Sequence, residues 1–281
     1  ATINASGVVT GVSAGTATIR YIVTNANGCT DSVSTTVTVN ALPVVSAITG
    51  TPSGGLCEGS SVTLSNTTIG GVWSSSNTSI ATVNASGVVT AVSAGTTIIS
   101  YTVTNANGCV TTVNTTITIN ALPVVAAITG TANVCVGSTT AFSNTTAGGT
   151  WSSSNATVAT VNASGVVTGV NAGTAIISYT VTNANGCVTT VTRTVTVNAL
   201  PIVAAITGNT IVPVGLTTTL TSATSGGVWT SSNTNVATID ANGVVTGIST
   251  GTVTISYTVT NASGCVTTVT YVIAVNPKVN G

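Results

Sequence analysis

Along Thr97–Thr104, TIISYTVT, apolar and polar positions alternate: Ile99, Tyr101 and Val103 fall on one side, and Ser100, Thr102 and Thr104 on the other. A period of two marks a strand with one face buried. The next four residues, NANG at Asn105–Gly108, carry turn chemistry, and CVTTVNTTITIN from Cys109 resumes the alternation with Val113, Ile117 and Ile119. The two stretches predict a β-hairpin. Upstream, NASG at Asn84–Gly87 turns between IATV and VVTAV, while SVTLS and GGVWSSS supply two earlier strands. About seven short strands punctuated by turns predict an all-β sandwich. Trp73 is the natural plug of its core, because an indole removes more apolar surface from water than any other side chain present.

The pattern repeats. Trp73, Trp151 and Trp229 are 78 residues apart, as are Cys109, Cys187 and Cys265, and the step from Cys29 to Cys109 is 80. The two extra residues fall in a Gly-rich turn, TPSGGLCEG against TANVCVG, where insertions cost little. A period this long suits a small domain with its own core rather than a solenoid coil. The junctions are NALPVV at Asn40 and Asn120 and NALPIV at Asn198. Each follows directly on a strand, and its proline stiffens the backbone. The expected organisation is a partial domain at 1–42 and complete domains at 43–122, 123–200 and 201–281, strung end to end. The decamer ATINASGVVT at Ala1 matches ATVNASGVVT at Ala81 and Ala159 and ATIDANGVVT at Ala237. Residues 1–42 thus correspond to the second half of a repeat and cannot bury a complete core by themselves. They read as a window on a longer repetitive polymer. The alternative is completion by strands from a neighbouring chain, for which the tail NPKVNG is too short a donor.

Composition narrows the function classes. Charge is confined to Arg20, Arg193, Lys278, Asp31, Glu58 and Asp240, 2% of the chain, where ordinary soluble domains carry about 25%. With zero net charge the electrostatic attraction to nucleic acid or anionic membranes is missing. No apolar run approaches the roughly 20 residues of a membrane span. Histidine is absent, so the many serines and threonines lack a base to activate them, and no catalytic residues and no cofactor are expected. No metal site is expected either, since Asp31, Glu58 and Asp240 stand in different repeats and calcium needs several carboxylates together. They read as solvent-facing turn or strand-end residues.

From Val72, VWSSSNTSIATVNASGVVTAVSAGTTIISYTV resembles the bacterial Ig-like domain of group 2, in its W-S-S-S-N, A-T-V, G-V-V-T and A-G-T segments. The resemblance covers essentially the whole chain. It implies tandem Ig-like sandwiches of the kind found in bacterial surface adhesins and large secreted proteins, with no catalytic residues to transfer. The cysteines and low charge are similar to those of long repetitive surface proteins of Bacteroidota.

Cys57 and Cys109 are 52 residues apart, and Cys135 and Cys187 repeat that spacing. The expected disulfides are therefore Cys57–Cys109 and Cys135–Cys187, each tying the ends of one sandwich and stabilising it by roughly 4 kcal/mol. Disulfides place the chain in an oxidising compartment, outside the cell or on its surface. Cys29 and Cys265 are left unpaired within the chain, the latter because Pro213 stands where Cys135 stands one repeat earlier. Sequons at Asn4, Asn66, Asn77, Asn84, Asn114, Asn144, Asn155, Asn162 and Asn261 could bear glycan in a host with the machinery. Alternating threonines, as in TTVTVN from Thr35, could bind ice, but outward threonine is ordinary strand chemistry and twisted sandwiches offer no flat array. The expected function is the structural shaft of an extracellular filament or giant surface adhesin, self-associating along uncharged strand edges. The other reading is a carbohydrate- or host-binding module. Against it, the only aromatics beyond one Trp and one strand Tyr per repeat are Phe142 and Tyr271.

Overall fold

The computed structural model describes residues 1–278; the last three residues of the tail and of the fourth repeat lie outside them. The described residues form strands and turns without a helix. Two compact units are distinguished: Ala1–Pro123 together with Thr182–Val188, and Val124–Val181 together with the chain from Thr189 onward.

In the first unit, the second repeat is a sandwich of two sheets. One runs Leu56–Cys57, Val110–Asn120, Gly95–Thr104, Val72–Ser75, and the other Ser61–Thr63, Val88–Ala91, Ala81–Val83. The long hairpin pairs antiparallel from Gly95↔Ile119 to Thr104↔Val110. Leu56–Cys57 adds to its outer edge in parallel, Cys57 opposite Asn120, and Val72–Ser75 adds to the other edge, Trp73 opposite Tyr101. The second unit holds two further sandwiches of the same plan, with Cys135 opposite Asn198 and Pro213 opposite Asn276. The alternation sorts as the pattern requires: Ile99, Ile117 and Ile119 are buried against Leu56, Leu64 and Val89, while Thr96, Thr116 and Thr118 face outward.

The centre of each core is not the tryptophan. Leu64, Phe142 and Leu220, at equivalent places, are fully enclosed. Trp73, Trp151 and Trp229 are half-buried and pack on the margin of their clusters. The reason is topological, since each tryptophan sits on a four-residue edge strand and so covers the rim of the core. Each indole leans on a tyrosine, with ring centroids 4.7, 4.7 and 4.4 Å apart. The tyrosine closes a loop: Tyr101 Oη donates to the Thr68 carbonyl at 2.6 Å and accepts from the Gly71 N–H at 2.9 Å. Tyr179 does the same with Thr146 and Gly149, and Tyr257 with Thr224 and Gly227. A Cβ on any of these three glycines would collide with the tyrosine ring.

The first repeat has the second-half strands alone. Thr2–Ile3 pairs with Val9–Thr10, and Gly15–Thr24 with Thr30–Val39. Its Tyr21 is 70% exposed, against 6%, 6% and 5% for Tyr101, Tyr179 and Tyr257.

Candidate functional site: the repeat junctions

The hairpin turn that looked like a simple connector is where neighbouring repeats are held. In NANG the Asn105 side-chain oxygen accepts from the backbone N–H of Asn107 and Cys109, at 3.1 and 3.0 Å, an Asx turn closed by Gly108 at positive φ. This frees the amide nitrogen, which donates to the carbonyl of Ala41 in the junction preceding that repeat, at 2.8 Å. Asn183 reaches Ala121 and Asn261 reaches Ala199 in the same way, each at 2.9 Å. The cysteine next to the turn is thereby carried to the end of the preceding repeat. Cys109 Sγ lies 4.0 Å from the Asn40 carbonyl, Cys187 Sγ 4.0 Å from Asn120, and Cys265 Sγ 3.9 Å from Asn198.

That placement overturns the expected pairing. The disulfides are Cys57–Cys187 and Cys135–Cys265, each with a sequence separation of 130. Cys57–Cys109 and Cys135–Cys187 do not form; Cys265 is paired and Cys109 is free, as is Cys29. Strand length is the physical reason. Cys57 stands opposite Asn120 at one end of Val110–Asn120, and Cys109 precedes Val110 at the other. Eleven residues of strand at about 3.3 Å each keep the two cysteines some 35 Å apart, whereas the Cα atoms of the bonded pairs are 5.5 and 5.6 Å apart. Both partners of Cys57–Cys187 lie in the first unit and both of Cys135–Cys265 in the second. The longer loops raise the chain-entropy contribution to about 5 kcal/mol per bond taken alone.

Glu58 also belongs to this arrangement. Its carboxylate accepts from the N–H of Ala94 at 2.8 Å and of Leu122, in the junction, at 3.4 Å, so it is not a free surface charge. Asp240 takes the Asx-turn role of Asn84 and Asn162, accepting from Asn242 and Val244, and Asp31 accepts from Ser32. Among the described residues no group of three or more His, Cys, Asp or Glu converges as a metal site, and no helix is long and apolar enough to cross a membrane. Of the sequon asparagines, Asn66, Asn144 and Asn261 use the nitrogen a glycan would occupy to donate to Ser46, Ala126 and Ala199. Phe142 is enclosed, with the Arg193 guanidinium 5.6 Å above its ring, and Tyr271 donates to Gly208.

Residues 60–113 and 200–270 match the family model of the bacterial Ig-like domain (group 2). In these two segments the chain is similar to bacterial Ig-like domains of group 2. Among curated proteins, ice-binding protein 1 of Shewanella frigidimarina is 32% identical over 291 residues, covering 92% of this chain and 32% of the relative. The Ig-like chain thus spans about a third of the length of that relative. Solved structures with lower similarity include an adhesin that helps an Antarctic bacterium bind ice, at 17% identity and TM-score 0.33, over 93% of this chain and 82% of that one. Invasin, a bacterial integrin-binding protein, aligns at 15% identity and TM-score 0.35, over 98% of this chain and 68% of that one.

Proposed function

We propose that these Ig-like repeats are the stalk of a bacterial cell-surface adhesin, a stiff extracellular shaft that carries a binding element rather than being one. The observation that supports this most is the recurrence of one junction device, an asparagine tie to the preceding linker beside a long-range disulfide. Disulfides are at home outside the reducing cytoplasm. A shaft needs joints that resist bending and proteolysis, and covalent staples at the joints supply both. The relative with an ice-binding name matches over a third of its own length, which is compatible with a shared extender. The outward threonines also favour a structural role: Thr102 and Thr112, Thr180 and Thr190, and Thr258 and Thr268 bond to each other at 2.9 Å across their hairpins. Lateral association between copies is part of the same proposal. Edge strands in the three complete repeats are two to four residues long, so association would use the neutral sheet faces more than the edges.

Small-angle scattering of the 281-residue chain, oxidised and then reduced, tests the reading. The oxidised chain is expected to have one dominant long dimension that becomes broadly distributed on reduction. Unchanged profiles on reduction would remove the staple argument. Binding to a glycan array, or thermal hysteresis in ice, would replace the shaft by a binding module.

A further inference from the structure

Within the first unit, the inward face of the first hairpin and the thiol of Cys109 are both left without the partner that their equivalents in the later repeats have. Tyr21, Val23 and Val33 line an open concavity of about 460 Å³ on the hairpin Gly15–Thr24/Thr30–Val39. The residues equivalent to Tyr21 and Val23 in the complete repeats, such as Tyr101 and Val103, are buried. What buries them is the first half of the same repeat, which brings the Leu56–Cys57 strand parallel to one hairpin edge and Val72–Ser75 antiparallel to the other. Both edges of the first hairpin are open over ten residues.

The thiol of Cys109 points to the same missing piece from a different direction. Cys187 and Cys265 hold the equivalent position and are bonded to the cysteine opposite the last asparagine of the preceding repeat, Cys57 opposite Asn120 and Cys135 opposite Asn198. Cys109 Sγ lies 4.0 Å from the Asn40 carbonyl, the distance that bonded Cys187 keeps from Asn120. A half-repeat whose first strand pairs beside Val39 in the manner of Leu56–Cys57 would therefore set its cysteine against Cys109, while its counterpart of Val72–Ser75 would cover Tyr21.

We infer that residues 1–42 and Cys109 form the receiving half of a joint whose occupant is a half-repeat of the type 43–80, bonded through its cysteine to Cys109. The segments of this type within the chain are already engaged in their own sandwiches, which disfavours a second copy as the donor. The inference stands apart from the shaft reading, because it concerns which cysteine meets which strand. The bond forms by exchange with a small disulfide such as oxidised glutathione. The Cys109 thiolate takes one glutathionyl group and releases glutathione, and the incoming thiolate then attacks the Cys109 sulfur and releases the second.

The experiment is to place a second copy of residues 43–80 directly ahead of Ala1, refold in a glutathione buffer, alkylate, and map the cysteines by mass spectrometry. Cys109 is alkylated in the 281-residue chain, and the expected result is loss of that alkylation in the extended chain, with a new linkage from the added cysteine to Cys109. Alkylation of Cys109 undiminished beside intact Cys57–Cys187 and Cys135–Cys265 would overturn the inference. If the extended chain does not form those two bonds, a peptide of residues 43–80 added to the 281-residue chain decides. A linkage at Cys109 with slowed amide exchange over Gly15–Val39 supports the joint. Linkage at Cys29, or no linkage, refutes it. A Cys109-linked homodimer of the unextended chain would assign the site to a second copy and also refute it.

Discussion

Three equivalent tyrosines each pack on a tryptophan and close a loop of their own sandwich. Tyr179 Oη both donates to Thr146 and accepts from Gly149, so Tyr179→Phe removes two partly buried bonds and is expected to cost roughly 1–2 kcal/mol in chemical denaturation. Gly149→Ala should cost more, because its methyl meets the ring that must stay where it is. This clamp was legible in part. The Gly-Gly pair before each tryptophan and the tyrosine thirty residues beyond the second glycine recur in every complete repeat, but only the fold reveals that the glycine is needed for the hydroxyl to reach it. The opposite case is Thr189, whose hydroxyl, like those of Thr111 and Thr267, is buried without a partner among the described residues. Thr189→Val is therefore expected to raise stability by about 1 kcal/mol, measured as a higher denaturant midpoint at unchanged slope.

Strand length decides the cysteine chemistry. The spacing of 52 was consistent with a bond inside each repeat, and nothing in the order of residues says that its two ends lie at opposite ends of a ten-to-eleven-residue hairpin. The parallel placement of Leu56–Cys57 against Val110–Asn120 is a long-range decision, made by burying Leu56 with Ile117 and Ile119. Peptide mapping without reduction is expected to recover Cys57–Cys187 and Cys135–Cys265, with Cys29 and Cys109 alkylated. Cys57→Ser should then expose Cys187 to alkylation, leave Cys135–Cys265 in place, and destabilise the chain by roughly 2–5 kcal/mol. Appearance of Cys135–Cys187 in the native chain would contradict this fold.

Over the whole molecule, three positive and three negative side chains leave little for salt to screen. Stability is expected to change by less than about 1 kcal/mol between low and moderate sodium chloride, followed by thermal melts. Hydrophobic burial, backbone ladders and two disulfides hold the repeats instead. The sequence by itself determined the all-β class, the repeat, its Ig-like character and the hairpin with its Asn-Gly turn, because period-two alternation and turn chemistry are local and recur at a fixed interval. It could not determine which sulfur meets which, that Leu64, Phe142 and Leu220 rather than the tryptophans fill the core, or that the turn asparagine ties the preceding linker. Those depend on which strand lies at an edge and which end of a hairpin meets the next repeat. The tertiary structure decides them because burial selects among partners far apart in the chain that local pattern leaves equivalent.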